Sequence, residues 1–130
     1  MRINVDLRSS TPIYLQIVEQ IHKSLENGEL QKGDQLPTVR QMATDLRINF
    51  NTVARAYRIL DESGLISTQH GRGTYIWETL TEKSEEKLQN NSLKNLARDF
   101  IEAALGDGNT LDEILNTVQE MVHQKAIEKT

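Results

Sequence analysis

The 130-residue chain contains no cysteine. That excludes a disulfide framework, a thiolate metal site and a cysteine nucleophile, and it suits a reducing cytoplasm. Aromatic residues are scarce at 5%, and the 37% apolar share is enough for a compact but thin core. No apolar run approaches the roughly 20 residues needed to span a bilayer, and no signal-peptide pattern opens the chain. A soluble, cytoplasmic protein without a membrane partner is therefore expected. Catalytic signatures are missing too. Gly71-Arg72-Gly73 lacks the pattern of a phosphate-binding loop. His22, His70 and His123 are scattered, none at metal-ligand spacing from another histidine. Asp107-Gly108-Asn109 lacks the remaining ligand positions of a calcium loop. Glu85-Glu86 and Asp112-Glu113 read as solvated helix faces. Neither an enzyme, a metal site nor another cofactor is expected.

The length fits one small domain, or a small domain with an appendage. The net charge of −4 seems at odds with a polyanionic partner until it is divided along the chain. Residues 1–77 carry nine basic and eight acidic side chains, a net +1; residues 78–130 carry six and eleven, a net −5. The acidity lies in the C-terminal part, which leaves the N-terminal part free to approach phosphate.

Along the chain, residues 1–10 are polar, with Ile3, Val5 and Leu7 alternating as in a brief extended arm. Thr11-Pro12 reads as a helix start, with Thr11 at the N-cap. Ile13, Ile17, Ile21 and Leu25 recur at helical spacing until Asn27-Gly28. Thr38 and Gln41 have the form of a capping box before a short helix with Val39, Met42, Ala43 and Leu46 inward. Asn49 opens a third helix whose inner face is Val53, Ala56, Tyr57 and Leu60, and Ser63-Gly64 closes it. The connection of about three residues between the second and third helices gives a helix-turn-helix. Two β-prone runs, Leu65–Gln69 and Gly73–Trp77, then flank His70-Gly71-Arg72 as a β-hairpin. The expected fold is mostly α with a small β-hairpin: a winged helix-turn-helix over residues 1–77.

Residues 78–91 read as a linker or an exposed helical stretch. Ser92 then caps a helix carrying Leu93, Leu96, Phe100, Ile101 and Leu105; Gly106-Asp107-Gly108-Asn109 breaks it. Thr110 and Glu113 box the start of a last helix. Residues 78–130 are thus assigned as linker and helical dimerisation region. Their apolar stripe is more than so small a chain can cover from within. A second copy would cover it in a two-fold homodimer through Phe100, Ile101, Ile114, Val118 and Met121. Packing back onto the first domain is the alternative.

Asn49, Asn51 and Thr52 occupy the first turn of the third helix, which in a helix-turn-helix meets base edges in the major groove. Asn can pair bidentately with adenine, and Thr can meet phosphate or a thymine methyl. Arg55 lies one turn on, along the same exposed side. Arg40, early in the second helix beside its cap Thr38, can reach the DNA backbone or a guanine. His70, Gly71 and Arg72 would form a wing tip on the minor groove. The plainer alternatives are that Asn49 and Thr52 only cap, that Asn51 is only solvated, and that residues 70–72 are an ordinary turn.

The stretches Leu36–Ala43, Asn49–Tyr57, Gly64-Leu65-Ile66 and His70–Tyr75, in this order and spacing, resemble the GntR family of bacterial transcription regulators. The Asn-x-Asn-Thr-Val-x-Arg-Ala-Tyr version with a short two-helix tail is similar to the YtrA subfamily. Two positions depart from the pattern. Arg47 stands where the family usually has Gly, a departure that bears on the turn geometry, and Phe50 stands where Pro, Ser or Arg is commoner, which implies an altered base preference rather than lost binding. The resemblance implies double-stranded DNA as partner, a contact from the Arg of the Pro37-x-x-Arg40 motif, and repression from a pseudo-palindromic operator. It also implies release by an unidentified small-molecule effector or signal. The roughly 50 residues after the hairpin are too few for the large sensing domain of longer members. A winged helix that binds protein instead of DNA is the competing expectation.

Overall fold

The computed structural model describes residues 2–69 and 71–129. Apolar side chains every third or fourth residue drive the first helix, α1 (Ile13–Glu26), whose Ile17 and Ile21 are fully buried. It starts one residue later than the Thr11 cap implies. Pro12 takes the cap position in an extended conformation, and its carbonyl accepts from the Leu15 and Gln16 amides. The polar arm before it is tied down by two glutamines of α1. Gln16 Oε1 accepts from the Asp6 amide at 2.7 Å, and Gln20 accepts from Asn4 at 2.9 Å.

After a short strand, β1 (Gln35–Leu36), come α2 (Val39–Leu46) and α3 (Phe50–Glu62). The Thr38–Gln41 capping box forms reciprocally, each bond 3.0 Å. Strands β2 (Ile66–Gln69) and β3 (Gly73–Ile76) follow, and the antiparallel sheet has the order β1-β3-β2. The hairpin is therefore part of a three-stranded sheet. Gln35 pairs with Tyr75 and Leu36 with Thr74, a strand too short for any periodicity to reveal. In the hairpin Ile66 opposes Ile76 and Thr68 opposes Thr74, so Ile66 and Ile76 both reach the core.

That core joins α1, α3 and the sheet through Ile17, Ile21, Val53, Leu60, Leu65, Ile66 and Ile76. Tyr57 donates from its hydroxyl to the Pro37 carbonyl, fastening α3 to the start of α2. Burial pushes the Tyr57 phenol well above its ordinary value, so it stays a donor.

The last two helices are α4 (Glu82–Gly106) and α5 (Leu111–Glu128). Ser92 does not start α4; it lies mid-helix. Thr81 and Ser84 cap the real start reciprocally, with the Ser84 amide 3.1 Å from Thr81 Oγ1 and the Thr81 amide 2.8 Å from Ser84 Oγ. The chain forms two compact units, 1–92 and 93–130. The first includes the opening turns of α4 because Leu88 is buried in the core and Asn91 donates to Ser63 Oγ at 3.1 Å. In the second unit, the Thr110–Glu113 box caps α5, and the Thr110 amide and hydroxyl hold the Glu113 carboxyl below its usual range. Ile114 is buried, at 7% exposure, while Phe100, Ile101, Val118 and Met121 are exposed. Ile114 therefore does not belong to the open apolar face assigned to it from the sequence; its side chain is already covered. No helix among the described residues is long and apolar enough to cross a membrane.

Candidate nucleic-acid interface

The turn between α2 and α3 fixes how α3 is presented. Arg47 follows α2 in the left-handed conformation, at φ 56° and ψ 46°. Its amide donates to the Thr44 carbonyl at 3.2 Å, and the Ile48 amide donates to Ala43 at 3.0 Å. This is the paired closure of a Schellman motif, completed by Ile48 packing on the core. The turn that usually has Gly is made here with Arg, so the geometry survives and the residue bears the strain.

Asn49 caps α3 with its side chain, accepting from the Asn51 amide at 2.7 Å. Asn51 is exposed and Thr52 half-buried, so the three polar residues of the first turn are not equivalent. Asn49 is engaged in capping and Asn51 is offered to solvent. Phe50, between them, is 49% exposed, and the Arg40 guanidinium lies 6.0 Å from its ring centroid. Arg40 and Phe50 thus stand together at the junction of α2 and α3, a pairing that sequence spacing alone does not show.

Arg55 departs from its expected place. It is half-buried, not on an open side, because its guanidinium stacks 4.2 Å from the ring centroid of Tyr14 on α1. Thr38 is half-buried with its hydroxyl oxygen accepting from the Gln41 amide, and Arg40 is exposed.

At the wing tip, His70 lies outside the described residues. Gly71 and Arg72 are exposed, with Gly71 at φ 73°. The Arg72 carbonyl accepts from Tyr75 Oη at 2.9 Å and from Gln35 Nε2 at 3.2 Å. Its amide donates to the Gln69 carbonyl at 2.9 Å. These bonds hold the Arg72 backbone, and the residue is exposed. Gly73 has φ 116°, a conformation that other residues adopt only with strain, and a Cβ there would also have to push aside the end of the Gln35 side chain. A surface groove runs from Thr38 and Gln41 at the start of α2 to Gly71 and Arg72 on the wing. Gln35 and Gln41 line it as well. Sequence reading gave Gln41 only a capping role and Gln35 none, and no local signal marks Gln35.

These elements have known counterparts. The family model for bacterial regulatory proteins of the gntR family matches residues 13–76. The HTH-type transcriptional repressor YtrA of Bacillus subtilis is 50% identical over 76 residues, 58% of this chain and 58% of that protein. The chain thus spans little more than half the length of that relative. The uncharacterized HTH-type transcriptional regulator YhcF of Bacillus subtilis is 36% identical over 86% of this chain and 91% of its own length. Among solved structures, YtrA from Sulfolobus acidocaldarius, a GntR-family transcription factor, is 35% identical with a TM-score of 0.55. That match covers 94% of this chain and 97% of the solved one. With the winged helix and both tail helices included in matches of this extent, the chain belongs to the GntR family of transcription regulators and is of the YtrA-like kind.

Proposed function

We propose that the protein is a homodimeric, sequence-specific DNA-binding repressor that occupies a pseudo-palindromic operator and is released by an effector or signal. The observation that carries this reading is the exposed opening of α3, where Asn51, Phe50 and Arg40 stand clear of the core. Asn51 reads a base edge, adenine being its bidentate match. Arg40 and Arg72 neutralise phosphates, and Gly71 with His70 brings the wing to the minor groove. Thr38 and Asn49 retain donors for phosphate beside their capping roles, and the Thr52 hydroxyl serves the same purpose. Arg55, held against Tyr14, offers a pre-ordered guanidinium edge to the backbone.

The second copy covers the open apolar side chains of α4 and α5, Phe100, Ile101, Val118 and Met121 among them. Two-fold symmetry then presents two copies of α3 to half-sites one helical turn apart, or a multiple.

A salt titration on duplexes bearing the inverted repeat upstream of the gene tests the reading. Affinity should fall steeply with salt, and Arg40→Ala or Arg72→Ala should weaken all sequences and flatten the slope by about one. Asn51→Ala should instead relax base choice at one position, worth about 1–3 kcal/mol. Absence of binding across a promoter pool at about 50 mM salt would refute it and favour a protein-binding module.

A further inference from the structure

Within the 1–92 unit, α1 and the opening turns of α4 meet at a side-chain cluster that DNA recognition does not use. His22 on α1 has Nδ1 3.3 Å from Glu26 Oε1, one turn on, and Nε2 3.1 Å from Glu85 Oε1 on α4. One ring nitrogen and one oxygen from each carboxylate lie mutually within 4.8 Å. Glu19, one turn before His22, lines the same surface cleft, whose floor includes Val18 and Leu88.

Three carboxylates and one imidazole therefore share the cleft, and none of the described residues lining it is Lys or Arg. The surplus is negative and calls for a cation. The donors indicate which kind. Imidazole with carboxylates suits first-row divalent ions, whereas magnesium and calcium prefer all-oxygen shells. Donors bound to one zinc ion at about 2.0–2.2 Å each cannot be more than about 4.4 Å apart. The observed spread is close to that limit, and Glu26 and Glu85 are half exposed, so side-chain rotation brings them in without moving either helix.

We propose that His22, Glu26 and Glu85 bind one divalent first-row transition ion, with Glu19 close by and water completing the shell. The ion cross-links α1 to the start of α4, the helix that continues to Gly106. The full set is not visible as a metal motif in sequence, because Glu85 is 63 positions from His22.

The test uses the full, untagged chain, freed of metal by a chelator and titrated with zinc against a chromophoric indicator, with thermal unfolding in parallel. One zinc per chain should bind and raise the unfolding midpoint. His22→Ala and Glu85→Gln should each weaken binding at least about tenfold, since even outer-shell partners of a metal are worth that much. His123→Ala should leave it unchanged, and magnesium should not substitute. Absence of zinc binding overturns the proposal. So does binding that survives in His22→Ala, or a loss of stability in Glu85→Gln with no dependence on zinc, which marks a plain ion pair. DNA is absent from the measurement, so its failure leaves the operator-binding reading standing.

Discussion

Replacing Arg47 by Gly should stabilise the winged helix, and the gain can be worked from the backbone. Arg47 sits at φ 56°, ψ 46°, where a Cβ crowds the carbonyl oxygen at a cost of about 1–2 kcal/mol. Glycine escapes that cost but gives the unfolded chain more freedom, returning about 0.5–1 kcal/mol. The guanidinium also lies beyond the C-terminus of α2, where a cation interacts favourably with the helix dipole, so removing it has its own effect. Arg47→Ala is therefore the proper reference: it loses the same charge and keeps the Cβ. The glycine variant should exceed the alanine variant by about 0.5–1 kcal/mol, or several degrees in unfolding midpoint for a unit of this size. Urea unfolding followed by far-UV circular dichroism measures it, at one protein concentration because self-association would shift the midpoint. If glycine proves no more stable than alanine, the left-handed turn is not strained and the account of the Schellman closure fails.

Three further outcomes are expected. Tyr57→Phe removes the donor from the Pro37 carbonyl without changing the packing, and should cost about 1–2 kcal/mol in the same urea assay. If Phe50, 49% exposed in the first turn of α3, meets a thymine methyl in the proposed complex, replacing that thymine by deoxyuridine should weaken the wild type. Phe50→Ala should become indifferent to that missing methyl in a gel-shift titration. Met121→Glu places a charge in the proposed two-fold contact, where each side chain fully buried is worth about 1.5–3 kcal/mol and symmetry counts it twice. Sedimentation should show association at least about a hundredfold weaker than in the wild type, and an unchanged mass would refute the interface.

The winged helix was legible in the chain because its elements are specified locally. Thr38 with Gln41 and Asn49 are caps whose bonds close within three residues, and the apolar spacing of α1 and α3 names the side chains that meet in the core. What escaped is what depends on a distant partner. The two-residue strand β1 exists only because β3 offers it a ladder. Arg55 looks exposed on a helical wheel, yet a ring from α1 lies over it. The α4 start was misplaced because polar residues 82–91 give no apolar stripe, while the Thr81–Ser84 pair caps them with two hydroxyls and no carboxylate.

The tail shows where periodicity stops informing. Leu111, Ile114, Leu115, Val118, Met121 and Val122 form one broad apolar sector in sequence, and nothing in their spacing ranks them. In the fold only Ile114 is buried, and the other five remain between 38% and 64% exposed. Ile114→Glu and Met121→Glu should therefore part company. The first puts a charge at the one covered position and should unfold α5 at any protein concentration; the second should leave the lone chain's fold unchanged and act only through association. Circular dichroism across a dilution series separates them, and identical behaviour of the two would mean that the division between inner and outer faces of α5 is wrong.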